Sequence, residues 1–291
     1  MLSSILTQRF DTSDIAFAKV DEEIAILREG IRALHAYRNT YTPVYRLPPE
    51  VLTRIFSLTM QIPNRDWYYG AGMFNRGVAV TRTSQHWRNV ALASSSLWSH
   101  ISSSYPKPIM EEWLKRSKAA PLYVNVYCTS PRDAQLFLVP LHRVRELTLE
   151  LTTNAWNTFS SNMSSAAPLL EFLSITLNTS PPPEGIAEPT FWGGFPRLRH
   201  LHLSGCSFDT ESSLFTDLVS LELCNPPNKV PEQALLSTLR NLPRLTLLTL
   251  LDVLDPSNPP VSAEIGAVSL SALQSLSCQF NLTIPFQHPD Q

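Results

Sequence analysis

Glycine is scarce in this 291-residue chain: 9 occur beside 24 prolines, where about 7% and 5% are usual. Loops that cradle phosphates need glycine, and the nearest approach is GAGMFNRG, Gly70 to Gly77. It lacks the GxGxxG spacing and no Lys-Ser/Thr pair follows it, so neither nucleotide fingerprint is met. A charge excess is also missing: 23 basic and 25 acidic residues give a net charge of -2. That balance offers no electrostatic footprint for nucleic acid or an anionic membrane. The basic cluster Lys115, Arg116 and Lys118 reads as a solvated helix end. The four cysteines, Cys128, Cys206, Cys224 and Cys278, form no CxxC and have no histidine-rich partner, so no zinc signature is present. No run of 18 apolar residues exists, and Arg9, Asp11 and Asp14 interrupt the apolar run a signal peptide would need. A reduced cytoplasmic or nuclear setting is expected. There is no HExxH, no GxSxG and no carboxylate pair on a recognisable scaffold. His86, beside Trp87, reads as a packed or surface histidine rather than a base. The expectation is a non-catalytic protein without cofactor or metal.

What is present is apolar and periodic. At 43% hydrophobic, the chain has enough apolar content for a core. After a flexible stretch at 1–12, Phe17, Val20, Ile24, Leu27, Ile31 and Leu34 fall in steps of 3, 4, 3, 4 and 3. That is a heptad seam over a helix at 13–40, with Thr12, Ser13 and Asp14 as candidate caps. It fits a helix packed on its own protein, or a dimerising one. Gly30 within it costs roughly 1 kcal/mol.

The stretch YRLPPEVLTRIF at 45–56 puts two prolines at a helix start, where their missing N–H groups would have no partner. Glu50 suits the positive end of the helix dipole. Leu52, Ile55, Phe56 and Thr59 follow helical spacing, and Val51 and Leu58 widen the apolar face. Residues 61–79 read as a loop. Helical spacing resumes at Val80, Thr83, Trp87, Val90 and Ala91, and Leu97, Trp98 and Ile101 close a small helical unit over 47–101.

Beyond residue 104 the texture becomes β. APLYVNVYC alternates apolar residues at Leu122, Val124 and Val126. A motif LxxLxL then starts at 144, 170, 198, 218, 245 and 273, at spacings of 26, 28, 20, 27 and 28 residues. Such periods suit leucine-rich repeats. Eight residues after each start stand Thr152, Asn178, Cys206, Pro226, Val253 and Asn281. Asn or Cys there is expected to point inward and satisfy turn backbone. The sequons at Asn178 and Asn281 are accordingly read as structural asparagines, while Asn162 is left undecided. Because FQHPDQ ends the sequence soon after the sixth motif, the array looks short of a capping end.

In such repeats the residues between the leucines line one sheet face. Glu146, Phe172, His200, His202 and Glu222 are the candidate protein-binding residues on it. His200 and His202 lack a third ligand for a metal.

LPPEVLTRIF, then HWRNVA, then SLWSHI together resemble the F-box. With the upstream heptad helix and downstream WLKRSKAAPLYVNV, the chain resembles the large F-box group common in mushroom-type fungi. The resemblance covers about residues 14–130. It implies an N-terminal helical F-box module, at 43–103, with the heptad helix of 13–40 packed on it. An irregular leucine-rich-repeat array, an α/β solenoid with a parallel strand per repeat, follows at 104–291. The implied function is that of a substrate receptor of an SCF-type cullin-RING ubiquitin ligase. The module would bind a Skp-type adaptor, and through it a cullin, while the repeats hold a protein substrate. Leu47, Pro48, Leu52, Ile55 and Phe56 match the family's first helix, and Trp87, Val90, Leu97 and Trp98 its later apolar positions. Sequence does not partition them between core and adaptor groove. Phe56 and Trp98 are expected as aromatic anchors of that contact. The chain departs from the family at Thr83 and Ser84, where a Val-Cys pair is usual. The other class compatible with the residues is a repeat scaffold without a ubiquitin-ligase role.

Overall fold

The computed structural model describes residues 13–60, 70–128, 140–156, 167–178, 195–211, 215–255 and 268–279. The expectations for 1–12, 61–69, Asn162, Asn281 and the C-terminal FQHPDQ lie outside them. The chain divides into two compact units, with a boundary between Leu97 and Trp98.

The first unit is helical. Helix α1, Ser13–Thr40, carries Asp14 in its first turn and Arg38 in its last, each on the favourable side of the helix dipole. It buries none of its residues. The seam Phe17, Val20, Ile24, Leu27, Ile31 and Leu34 is 37% to 71% exposed, so the expected packing of this face on the chain is not found. The reason lies on the opposite face. Glu29, Arg32, Ala33, His35, Ala36 and Asn39 are the α1 residues that line an open cleft of 900 Å³, together with Tyr45 and residues around 81–89. The small and polar face is thus the one turned toward the module.

A 3-10 turn, Pro43–Arg46, leads to helix α2, Pro49–Met60. Leu52 N–H donates to Pro48 O at 3.1 Å, so the prolines do stand at the helix start, as their chemistry requires. Leu52, Phe56 and Met60 are buried, one turn apart along a single stripe. The sequence expectation of a loop at 61–79 is corrected from residue 70 onward: helix α3 spans Gly70–Thr83. Three glycines at 70, 72 and 77 remove the side chains from which periodicity is read. Helix α4, Gln85–Ala93, starts at Ser84, whose Oγ accepts the Trp87 N–H at 3.1 Å. Phe56 and Trp87 bring α2 and α4 together with ring centroids 5.1 Å apart, and the Thr53 and Ser94 hydroxyls meet at 2.7 Å.

The second unit is an α/β solenoid-like body built on one sheet. A 3-10 turn at Ser95–Trp98 is followed by strand β1, His100–Ser102, so the expected helical clamp at 97–101 gives way to a strand at Ile101. Then come helix α5, Lys107–Arg116, and strands β2, Leu122–Cys128, β3, Val144–Leu151, β4, Phe172–Leu177, and β5, His200–Ser204. Strand β6, Ser220–Cys224, helix α6, Glu232–Arg240, and strands β7, Leu247–Leu251, and β8, Ser275–Gln279, complete the series. The eight strands lie in sequence order and every neighbouring pair is parallel. Parallel neighbours need a crossover, and each LxxLxL motif supplies one strand. The register stacks Leu147, Leu173, Leu201, Leu221 and Leu248 in one row, and Leu149, Ile175, Leu203, Leu223 and Leu250 in the next. All ten are buried. The first motif residues Val144, Leu170, Leu198, Leu218 and Leu245 are buried as well.

Amphipathic helices fill the β1–β2 and β6–β7 crossovers. α5 buries Met110 and Trp113, and α6 buries Leu235, Thr238 and Leu239. Trp98 stands edge-on to Trp113 at 5.3 Å, and the Arg116 guanidinium lies 4.8 Å over the Trp98 ring. Arg116 is therefore a stacked residue rather than a freely solvated helix end. The Arg143 guanidinium ties down the turn after α5, donating to Ser117 Oγ and Ala120 O, both at 2.8 Å from Nη2.

Where the chain leaves the sheet, two kinds of strand end occur. After β5, β6 and β7 come Gly205, Asn225 and Asp252 at φ of 67°, 47° and 52°, a region that glycine, asparagine and aspartate enter most easily. The left-handed residue turns the next one inward, and Cys206, Pro226 and Val253 are buried. In β3 and β4 the same register position is held by buried Leu151 and Leu177. The strand therefore runs one residue further, and the residue after it points out. Asn178 is exposed, with Nδ2 donating to Glu150 Oε1 at 3.0 Å. The inward asparagine expected there is corrected, and burial no longer speaks against its sequon. Cys206 does fill the inward role, its thiol 3.3 Å from Ser204 O and 3.8 Å from Ile175 O. Burial pushes that thiol up to about 12, so it is unreactive.

Candidate functional site

Two surfaces remain once the cores are accounted for, one in each unit. In the sheet unit, the residues alternating with the buried leucines form continuous cross-strand rows. One row runs Tyr123, Glu146, Phe172, His200, Ser220 and Leu247, and the next Asn125, Thr148, Ser174, His202, Glu222 and Thr249. The register brings all five sequence candidates together. Phe172 and His200 are neighbours with ring centroids 6.3 Å apart. His202 Nδ1 lies 3.2 Å from Glu222 Oε2, and Glu146 pairs with Phe172 across β3 and β4.

Glu146 is partly desolvated, and that burial raises its pKa, with Arg145 lowering it and Glu171 raising it further. Arg145 is itself engaged by Glu171, at 2.8 Å, and so gives Glu146 only shared compensation. The candidates missed by sequence reading lie beside it. His100 stacks on Tyr123 with centroids 4.7 Å apart and planes 13° apart, and Tyr127 stands exposed next to Glu150 in the register. The alternation in APLYVNVYC carried this signal. Its unmarked residues simply had to be aligned with those of the first LxxLxL strand. The β1–β4 end of the face is thus aromatic and acidic, with Tyr123, Tyr127 and Phe172 around Glu146 and Glu150. Among the described residues no three His, Cys, Asp or Glu side chains gather to hold a metal, and no helix is long and apolar enough to cross a membrane.

In the helical unit, α2 separates its apolar residues by face. Leu52 and Phe56 are buried, while Val51, Ile55 and Leu58 are 38% to 51% exposed. These three positions follow i, i+4 and i+7 spacing, one stripe of a helix. Exposed Val44 and Pro48 and half-buried Leu47 lie in the segment just before it. Of the other sequence candidates, Val90 and Leu97 are buried and Trp87 is half-buried. Trp98 is buried and falls in the sheet unit. Neither Phe56 nor Trp98 is therefore presented as an aromatic anchor. The hydroxyls at Thr83 and Ser84 have local partners: Thr83 Oγ1 donates to Ala79 O at 3.0 Å, and Ser84 caps α4. Their polarity is absorbed by helix ends, so it adds no unsatisfied group to a surface. His86 stacks on Tyr45 with centroids 4.5 Å apart, a packed histidine as expected.

No protein-family model matches the chain, and no curated protein matches its sequence significantly.

Proposed function

We propose that the chain is a non-catalytic F-box receptor of an SCF-type cullin-RING ubiquitin ligase. Its helical unit docks on a Skp-type adaptor, and the sheet unit, read as an irregular leucine-rich-repeat array, holds a protein substrate. The observation that carries this reading is the division of α2. The helix bearing the LPPEVLTRIF resemblance keeps Leu52, Phe56 and Met60 for its own core and leaves Val51, Ile55 and Leu58 exposed. Each side chain is already about half covered, so burying the rest of all three is worth about 2–4 kcal/mol gross, before the cost of association. That is enough to make the row the centre of an interface and too little to be the whole of it. The substrate end would use the aromatic and acidic face of the sheet. No bond chemistry is required of this chain, since holding a substrate beside a charged conjugating enzyme raises effective concentration.

Co-purification with a fungal Skp-type adaptor tests the reading. Stoichiometric capture is expected for the wild type, and Ile55→Asp/Leu58→Asp should weaken it at least ~10-fold, the loss of more than 1.4 kcal/mol. Both residues are exposed, so melting should stay the same. A folded wild type that captures no adaptor overturns the proposal and leaves the repeat-scaffold reading.

A further inference from the structure

We infer that α1 is a dimerisation helix through which two copies of this chain associate in parallel. All six seam residues, Phe17 to Leu34, are exposed over a helix of 28 residues. Their spacing places Phe17, Ile24 and Ile31 at the a positions of a heptad and Val20, Leu27 and Leu34 at d. In the second and third heptads Ile24 and Ile31 at a with Leu27 and Leu34 at d follow the pattern that favours a two-stranded parallel coil, while Phe17 and Val20 in the first do not.

The charges select the occupant. Counting from the same frame, Glu23 is a g residue and Arg28 the following e residue. In a parallel, in-register pair, Glu23 of each copy faces Arg28 of the other, so the ion pair forms twice by symmetry. The seam is therefore complementary to itself in charge as well as in shape. Helix geometry limits the alternatives on its own chain. The face that includes Glu29, Arg32 and Asn39 already lines the cleft with Tyr45, which leaves the seam pointing away from it. At about 1.5 Å per residue the helix is roughly 42 Å long. The seam from Phe17 to Leu34 spans fewer than three full heptads, so association should be reversible, with a dissociation constant on the order of micromolar.

Sedimentation velocity of the full chain between about 1 and 100 µM is the test, a range chosen to bracket that constant. The wild type should pass from 32.7 kDa to twice that mass as concentration rises. Ile24→Lys/Ile31→Lys should stay at monomer mass throughout, with unchanged melting because both side chains are exposed. Glu23→Arg should weaken the dimer and Glu23→Arg/Arg28→Glu should restore it. For orientation, exposed Cys278 is first replaced by serine. Leu27→Cys should then cross-link to itself on oxidation, since d meets d in a parallel coil. Monomer mass at every concentration, or a dimer that survives Ile24→Lys/Ile31→Lys, overturns the inference. A dimer in which Leu27→Cys fails to cross-link overturns the parallel arrangement.

Discussion

Gly30 and Gly205 differ by one atom's worth of space. A Cβ on Gly30 would meet nothing within 4 Å, whereas on Gly205, at φ of 67°, it would lie 2.5 Å from Leu177 O. Gly30→Ala should therefore stabilise α1 by about 0.5–1 kcal/mol, seen as more helical circular dichroism at 222 nm. Gly205→Ala has to move backbone or accept strain of about 1–3 kcal/mol, and its melting temperature should drop. A Gly205→Ala protein that melts with the wild type would show that the left-handed turn after β5 carries no such strain. This is also the scale at which sequence reading went astray. Asn178 matched the repeat pattern, yet pointing inward needs a left-handed residue just before it, and Leu177 stands there. Gly205, Asn225 and Asp252 spell out that requirement in the sequence.

At the scale of elements, the parallel strands were legible because an apolar pattern repeated six times leaves a period that single substitutions cannot hide. β1 was not, because a three-residue strand carries one buried residue, Ile101, and no alternation to recognise. Its His100 gives a pH test. Burial lowers the His100 pKa from 6.5 to about 4. The unfolded chain takes up that proton near 6.5, so it binds more protons than the folded chain between about 4 and 6.5. Stability is then full above pH 6.5 and falls as pH drops through that window, by at most ~3 kcal/mol. Urea denaturation at pH 7.5 and 5.0 measures the loss, and His100→Phe should remove most of it. An identical loss in His100→Phe would assign the acid sensitivity to other groups. A second element-scale test is the turn after α5. Arg143→Ala leaves Ser117 and Ala120 without their charged donor, at a cost of about 1.5–3 kcal/mol.

For the whole molecule, the division of labour depends on which apolar residues are core and which are left over, and that partition is the part of the candidate sites the sequence could not express. Leu52 and Ile55 are both aliphatic residues on one short helix. Only packing reveals that the first is buried and the second exposed. Truncation should separate them: Leu52→Ala is expected to cost about 2–5 kcal/mol of stability, while Ile55→Ala should change it by less than about 1 kcal/mol and act on adaptor affinity. Hydrogen exchange extends the same logic to the full chain. A partner that binds only the folded helical unit stabilises it by RT ln(1 + [L]/Kd), about 2.7 kcal/mol at a hundredfold excess over Kd. Amides of α2 and α4 that exchange by opening of that unit should slow by up to about a hundredfold on adding the adaptor. Amides of β3 to β6 are the internal reference, because their hydrogen bonds belong to the sheet. Protection confined to α2 and α4 assigns the contact to the helical unit, and its loss in Ile55→Asp/Leu58→Asp assigns it to the Val51, Ile55 and Leu58 row, whereas protection confined to the sheet would place the proposed adaptor-binding surface there and leave that row without a role.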